Sequence, residues 1–232
     1  MEIRRTTIHQ VYLLRFDEIP LLKLLHPAGV KSLSGLFGFA QSGVAQDQSG
    51  APMVNLQLGA YQHEGVDISI TRLSIEDRRI LLDVEGTSEQ ADKITEGLRE
   101  HLRSVSGRAD EQFLKSIVKA QESEIVAQLE FSADQLLSEH LLRFVGENLI
   151  PATSSDLATS SAKLGAVLFV VQYDPHGVAL DDFRISLSRK EFSIGPRPGS
   201  PLEERTYVSK APVDTATHLS LLATLESILV HK

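Results

Sequence analysis

The chain has 232 residues, of which 42% are hydrophobic and 23% charged, and its formal net charge at pH 7 is −8. It has no cysteine, which excludes disulfides, thiol catalysis and cysteine-ligated metal. The acidic balance argues against a nucleic-acid backbone or an anionic membrane as the main partner, because both bind clustered Lys and Arg. No apolar run approaches the length of a membrane span, and no apolar signal core follows the first arginines, so we expect a cytoplasmic protein.

The first 50 residues predict a strand, a short helix and a loop. Residues 11–16 are a short apolar run typical of a strand. Residues 19–26 predict a helix that ends at Pro27. Residues 32–46 contain no charge and several glycines, which predicts a mobile loop. This loop carries three large apolar side chains, Leu36, Phe37 and Phe39.

Alternating patterns predict an antiparallel sheet in the rest of the first half. Apolar and polar residues alternate over 53–60 and again over 66–71, and residues 80–84 predict a third strand. Residues 87–90 (Thr-Ser-Glu-Gln) have the form of a helix capping box. Apolar residues follow at helical spacing, so we expect a helix from about Ser88 to Ser106.

The second half begins after a predicted helical connector. Residues 109–122 have a helical pattern, and a strand at 125–131 and a helix at 133–148 follow. Residues 151–161 are rich in Ser and Thr and predict a loop. An unbroken apolar run at 166–171 predicts a buried strand.

The last 50 residues predict the return strands and a final helix. A return strand is expected at 183–188, and residues 192–194 continue the sheet. The Pro/Gly-rich segment 195–201 predicts a surface excursion, with an edge strand at 206–208 beyond it. The final helix is expected at 212–230, with Pro212 in its first turn.

Three residues recur at the same spacing in both halves of the chain. Tyr61, Gly65 and Val66 lie 112 residues before Tyr173, Gly177 and Val178 (173 − 61, 177 − 65 and 178 − 66). In both places an apolar run precedes the Tyr and an alternating run follows the Gly, which is typical of a hairpin with Gly in its turn. The sequence therefore predicts a first repeat at 1–108, a helical connector at 109–123 and a second repeat at 124–232.

Each half has the predicted element order of strand, short helix, three or four strands and long helix. Over nearly the whole chain this order resembles the duplicated saddle of the TATA-binding-protein-like fold. The resemblance implies an α+β fold in which internally duplicated β-α-β4-α-like halves form an extended antiparallel sheet. It also implies that the long helices lie on one face and that the other face binds a partner. The alternative fold is a helix-grip or ferredoxin-like pair of separate α+β domains.

The strand predicted at 166–171 is apolar on both faces, unlike its counterpart at 53–60, where Asn55 and Gln57 make the outer face polar. A strand that is apolar on both sides requires cover on both sides. That cover is either another protein chain or the chain's own loop at 32–46. We therefore predict a partner interface formed by Val167, Phe169, Val171, Leu36, Phe37 and Phe39.

Catalytic and cofactor motifs are not found. The eight histidines are dispersed, and there is no phosphate loop, nucleophile elbow or Rossmann glycine pattern. His63 and His176 flank the two predicted hairpins and form the one candidate pair. His140 is expected on the apolar side of the helix at 133–148, as a core histidine. The sequence thus predicts no catalytic residue, no metal site and no cofactor.

These observations favour a non-enzymatic protein-binding or assembly protein, in an antitoxin-like, immunity-like or scaffold role. Its partner is expected to be a second copy of the chain or a dedicated protein. Residues 109–232 contain 17 acidic and 11 basic residues, which favours a partner with basic residues around the rim of the interface. The alternatives are a nucleic-acid-associated saddle protein, and an enzyme or small-ligand-binding protein whose pocket is assembled from distant residues.

Overall fold

The computed structural model describes residues 1–15, 18–47, 49–107, 118–153, 162–172 and 189–230. The strands are β1 (Glu2–Leu13), β2 (Gln41–Gln46), β3 (Pro52–His63), β4 (Val66–Ile75), β5 (Arg79–Glu85), β6 (Val118–Gln128), β7 (Val167–Gln172), β8 (Arg189–Pro196) and β9 (Thr206–Ala211). The α-helices are α1 (Leu21–Leu25), α2 (Pro27–Phe37), α3 (Ser88–Ser106), α4 (Glu139–Phe144), α5 (Ile150–Thr153) and α6 (Thr215–Val230). Short 3-10 helices lie at Ala133–Leu136 and Leu202–Glu204, and a π-helical turn lies at Val145–Leu149.

The described strands follow the order β2-β3-β4-β5-β1-β6-β9-β8-β7 in one antiparallel sheet. The predicted α+β class with an antiparallel sheet and helices is confirmed. The chain divides into two compact units. The N-terminal unit contains residues 5–123 and 213–216, and the C-terminal unit contains residues 1–4, 124–212 and 217–232.

Helix α3 has the bounds and the cap that the sequence predicts. Thr87 Oγ1 accepts a hydrogen bond from the Gln90 N–H at 3.3 Å, and Gln90 Oε1 accepts one from the Thr87 N–H at 2.8 Å. Gly107 ends the helix in the left-handed conformation. The apolar stripe of α3 packs with alternate residues of the strands into the core of the N-terminal unit, which includes Ile94, Leu98, Ile70, Leu82 and Val84.

The hairpin between β3 and β4 is confirmed, with His63 opposite Val66 and a left-handed Glu64-Gly65 turn. One detail of β3 differs from a regular alternation. Leu58 has a φ of 56° at an irregularity where the β3–β4 pairing skips Leu58, although the register is the same on both sides, and its side chain is exposed instead of lying beside Val54 and Leu56 in the core. The irregularity interrupts the two-residue period of the strand, which sequence alternation alone does not reveal.

The prediction of a mobile loop at 32–46 is wrong, because this stretch contains the end of α2 and the whole of β2. The short helix predicted before Pro27 is present as α1, but Pro27 also starts a second helix, α2, and the ring of His26 accepts a hydrogen bond from the Ala28 N–H at 3.3 Å. Leu33 and Phe37, four residues apart, are fully buried and anchor α2 to the core.

The C-terminal unit has its own apolar core, built from β6, β8, β9 and α6. Buried members are Ile125, Ala127, Leu129, Phe131, Ile194, Tyr207 and Leu222. The predicted edge strand at 206–208 belongs to β9, which lies between β6 and β8 and is not an edge. Helix α6 begins at Thr215, so Pro212 precedes it and does not occupy its first turn.

Two predicted helices of the second half are wrong in part. Residues 118–122 belong to β6 and not to a connector helix, while 109–117 lie outside the described residues. The predicted helix at 133–148 is interrupted at Leu137, which is extended, and Ser138 caps a new helix by accepting from the Leu141 N–H at 3.3 Å. The predicted return strand at 183–188 lies outside the described residues, as does the hairpin at 173–178.

Candidate functional site

Strand β7 exposes three consecutive apolar side chains. Leu168, Phe169 and Val170 are 52%, 57% and 42% exposed. Successive residues of a strand point to opposite faces, so apolar surface is exposed on both sides of β7. The strand is also last in the order of the described strands, where β8 is its single neighbour. This combination makes β7 the strongest candidate for a binding surface in the C-terminal unit.

The register with β8 determines which side chain of β7 lies on which face. Phe169 is opposite Phe192, and the two ring centroids are 6.1 Å apart. Phe192 in turn contacts the ring of His218 on α6 at 6.2 Å. Val167 is opposite Ile194, which is buried in the same core.

Val167 and Phe169 therefore lie on the face that α6 covers, and the prediction that they face away from the helix is wrong. Leu168 and Val170 occupy the face turned away from α6. Because both sets are apolar, the sequence of β7 does not indicate its orientation, which depends on pairing with β8. Val171 lies in β7 opposite Lys190, and its side chain lies outside the part of the chain that the structure describes.

The three predicted interface residues of the first half belong to the N-terminal unit. Phe37 is fully buried and Phe39 nearly so, with their ring centroids 5.9 Å apart. Phe37 also contacts Tyr61, with ring centroids 5.4 Å apart. These two side chains form part of the core, so their assignment to a partner interface is wrong. Leu36 is 40% exposed and is the one member of the three that is open to solvent.

A charged cluster joins β1, β4 and β5 in the N-terminal unit. Asp83 accepts from Arg72 Nε at 2.7 Å, and its other oxygen lies 2.9 Å from His9 Nδ1. Burial acts to raise the pKa of the Asp83 carboxyl, but His9 and Arg72 together outweigh burial and hold that pKa below its ordinary value. The cluster fixes the orientation of the His9 ring and ties three strands together by their side chains.

A buried polar network links β1 to α3, and sequence reasoning missed it. The Tyr12 hydroxyl donates to Gln10 Oε1 at 2.8 Å and accepts from Thr95 Oγ1 at 3.2 Å. Gln10 donates to Asp92 at 2.9 Å, and Lys119 Nζ donates to the same carboxylate oxygen. Burial raises the pKa of the Tyr12 hydroxyl, which stays protonated at neutral pH. The sequence feature that indicates this network is the pair of polar residues Gln10 and Tyr12, which lie two residues apart and therefore on one face of a strand.

Outside the His9–Asp83 cluster, three further histidines, His140, His63 and His101, each have a different environment. His140 is exposed on α4, so the prediction of a core histidine there is wrong. His63 stacks on Tyr61, with ring centroids 6.2 Å apart, and its predicted partner His176 lies outside the described residues. Burial lowers the pKa of His101, which lies 3.4 Å from Ser32 Oγ.

His218 is a buried histidine that the sequence did not single out, and its Nε2 lies 2.9 Å from Ser209 Oγ. The Ser209 hydroxyl donates its one hydrogen to the Ser193 carbonyl at 2.9 Å. With the Ser209 hydrogen on the Ser193 carbonyl, His218 Nε2 is the donor in its bond to Ser209. The pair fastens α6 to β9.

Neither metal ligation nor a membrane span is supported by the described residues. Over residues 1–15, 18–47, 49–107, 118–153, 162–172 and 189–230, no three His, Asp or Glu side chains gather into a group that would hold a metal ion. In the same part of the chain, no helix is both long and apolar enough to cross a membrane.

Comparison with known proteins adds no family to these observations. No protein-family model, no curated protein and no solved structure matches the chain.

Proposed function

We propose that this chain is a non-enzymatic protein-binding or assembly protein that acts in the cytoplasm and binds a second protein chain through β7. The partner is a second copy of the chain or a dedicated protein. The observation that carries the proposal is the exposure of Leu168, Phe169 and Val170 on a terminal strand of the described sheet. The absence of cysteine fits a reducing compartment.

The energetic argument for a partner rests on the apolar surface of β7. Fully burying a large apolar side chain stabilises a protein by about 1.5–3 kcal/mol, so covering three half-exposed ones contributes a few kcal/mol in total. An added strand would also satisfy backbone groups along the outer edge of β7. A second chain that supplies both apolar cover and a strand edge is the partner that fits this surface.

The non-enzymatic part of the proposal is supported by the roles of the polar groups. His218 holds α6 against β9 through Ser209, and Tyr12 holds β1 against α3 through Gln10 and Thr95. These contacts give His218 and Tyr12 a structural role as links between elements.

We also infer that the two halves are copies of one β-α-β4-α-like repeat, as in a TATA-binding-protein-like saddle. The Leu14 N–H donates to the Arg78 carbonyl at 2.9 Å, and the Leu129 N–H donates to the Arg205 carbonyl at 3.0 Å. Each donor directly follows the first strand of its half, and each acceptor directly precedes the strand before the long helix. This repetition of one backbone contact supports the inference.

Photo-crosslinking at position 168 tests the self-associating form of the proposal. A benzophenone side chain replaces Leu168 in the purified protein, and a second variant carries it at Leu36, which is also partly exposed but lies on α2. We expect chain-to-chain crosslinks from position 168 and not from position 36. Equal crosslinking from both positions would contradict a specific β7 interface.

A further inference from the structure

A groove of about 760 Å³ runs between α2 and β2 in the N-terminal unit. It is lined at the end of the helix by Ser34, Gly35 and the C-cap residue Gly38, and on the strand by Ser42, Gly43 and Val44. These side chains are small, and their size leaves the space between helix and strand open. Val30 and Phe39 add apolar surface to its lining.

Strand β2 presents a backbone edge beside this groove. It is the first strand in the order, and among the described residues β3 is the one strand paired with it. In an antiparallel pair, alternate residues turn their N–H and C=O groups away from the partner strand. The segment Gln41–Gln46 contains no charged residue and no proline, the residues by which proteins commonly block such an edge.

Gly35 lies in the last turn of α2, and no contact among the described residues requires a glycine there. A Cβ at Gly35 would meet no heavy atom within 4 Å, and neither would a Cβ at Gly43. Gly within a helix is less favourable than Ala by about 1 kcal/mol. Both positions are thus open toward the groove, where a larger side chain would occupy space that a ligand needs.

We propose that this groove binds an extended peptide segment of another protein, which adds to β2 as a further strand. The backbone edge of β2 supplies the hydrogen bonds, and an apolar side chain of the peptide enters the space over Val30 and Phe39. Lys31 is the one charged residue among the described residues that line the groove, so the peptide carries a carboxylate that pairs with it. The site lies in the other unit from β7 and does not depend on the function proposed for that strand.

Charge also distinguishes a peptide from a second copy of the chain. A second copy that pairs through its own β2 offers the uncharged segment Gln41–Gln46, which holds no carboxylate for Lys31. It also brings its own Lys31 to the same junction, and like charges repel.

The test uses a phage-displayed library of random dodecapeptides, selected on the wild-type protein, followed by titration with the selected synthetic peptide. We expect the selected sequences to share alternating apolar residues and an Asp, a Glu or a free C-terminal carboxylate. In Gly35→Leu the affinity should fall by about tenfold or more, and in Lys31→Glu by several-fold, because rim charge contributes less than a filled groove. Gly146→Leu, at an equally open glycine of the C-terminal unit, is the matched control and should bind as the wild type does.

Amide hydrogen exchange locates the bound peptide. Exchange in residues 41–46 should slow when the peptide is added, and thermal unfolding of Gly35→Leu should show that the variant is at least as stable as the wild type. Failure to select any peptide, equal affinity for the wild type and Gly35→Leu, or protection confined to other segments would overturn the proposal. A concentration-dependent dimer that Gly35→Leu abolishes would assign the groove to a second copy instead.

Discussion

Ser88 and Thr215, the first residues of α3 and α6, bond each other reciprocally within the N-terminal unit. The Ser88 N–H donates to Thr215 Oγ1 at 3.0 Å, and the Thr215 N–H donates to Ser88 Oγ at 2.6 Å. Both residues are buried. The first N–H groups of a helix have no partner within the helix, so each residue satisfies a donor that the other would leave unpaired.

Removal of one hydroxyl from this pair should destabilise the protein. Thr215→Val leaves the buried Ser88 N–H without its acceptor and should lower the free energy of unfolding by about 1–2 kcal/mol. The double variant with Ser88→Ala should cost less than the sum of the two single variants, because they break the same interaction. Urea unfolding measures all three variants.

Thr224→Val, whose exposed hydroxyl bonds within α6, is the control and should change stability by less than about 0.5 kcal/mol. A stability loss in the double variant equal to the sum of the two single losses would show that the reciprocal bonds are not coupled.

The buried network around Tyr12 predicts a cost for removing one hydroxyl group. Tyr12→Phe preserves the ring but leaves Gln10 Oε1 without the donor that it has at 2.8 Å. The free energy of unfolding should fall by about 1–2 kcal/mol, as for other buried groups left without a partner. Urea denaturation at pH 7 measures the change. A loss below about 0.3 kcal/mol would mean that the network contributes little to holding α3 on the sheet.

The lowered pKa of Asp83 predicts a pH-dependent contribution to stability. A carboxyl whose pKa is lower in the folded than in the unfolded protein stabilises the fold above the unfolded value. That contribution is lost as the pH falls through the folded value. Asp83→Asn should therefore lower the free energy of unfolding at pH 7 by about 1–2 kcal/mol, of the order that a hydrogen bond to a charged group usually contributes. The difference from the wild type should shrink as the pH falls below the ordinary Asp value of 3.8.

Urea unfolding at pH 7, 4 and 2.5 measures the Asp83→Asn difference. Asp67→Asn on the exposed end of β4 controls for the loss of one negative charge. A difference for Asp83→Asn that is constant over this range would contradict the lowered pKa.

The close approach of Phe39 to β3 predicts that Gly59 tolerates no side chain. A Cβ at Gly59 would lie 2.5 Å from the Phe39 ring and 2.8 Å from the Phe37 carbonyl oxygen. Gly59→Ala should therefore lower the free energy of unfolding by about 1–3 kcal/mol, since the backbone at Phe37 has to move. Thermal unfolding of Gly59→Ala beside Gly43→Ala, whose Cβ is free of contacts, checks this. Equal stability of the two variants would mean that α2 shifts without cost.

Local signals in the sequence were sufficient to predict an element where the pattern is compatible with one kind of structure only. The capping box at Thr87 and Gln90 and the C-terminal Gly107 determine α3 without tertiary information. The alternation of Ile80, Leu82 and Val84 likewise identifies the buried face of β5. These elements are specified by neighbours in the chain, so the sequence predicts them directly.

The remaining elements depend on contacts between distant residues. Residues 32–46 are rich in Gly and Ser, which favour loops, and the burial of Leu33 and Phe37 against the sheet outweighs that preference. The orientation of β7 is determined by Phe192 and Ile194 across the ladder. The groove beside β2 exists because α2 and β2 are adjacent in space, which composition does not reveal. Candidate sites on such elements therefore required the structure.

The most direct test of the proposed interface on β7 is the molar mass, by light scattering, of the purified wild type and of the variants Leu168→Asp and Phe169→Asp. Urea unfolding of the two variants shows whether they remain folded. We expect the wild type to assemble with itself, or to form a stable complex with its dedicated partner, through an interface that both variants disrupt while they remain folded. Because Leu168 lies on the face turned away from α6, Leu168→Asp should perturb the core of the C-terminal unit least. A wild-type monomer whose two variants simply unfold would show that β7 is ordinary core, and would contradict the assignment of this chain as a protein-binding protein.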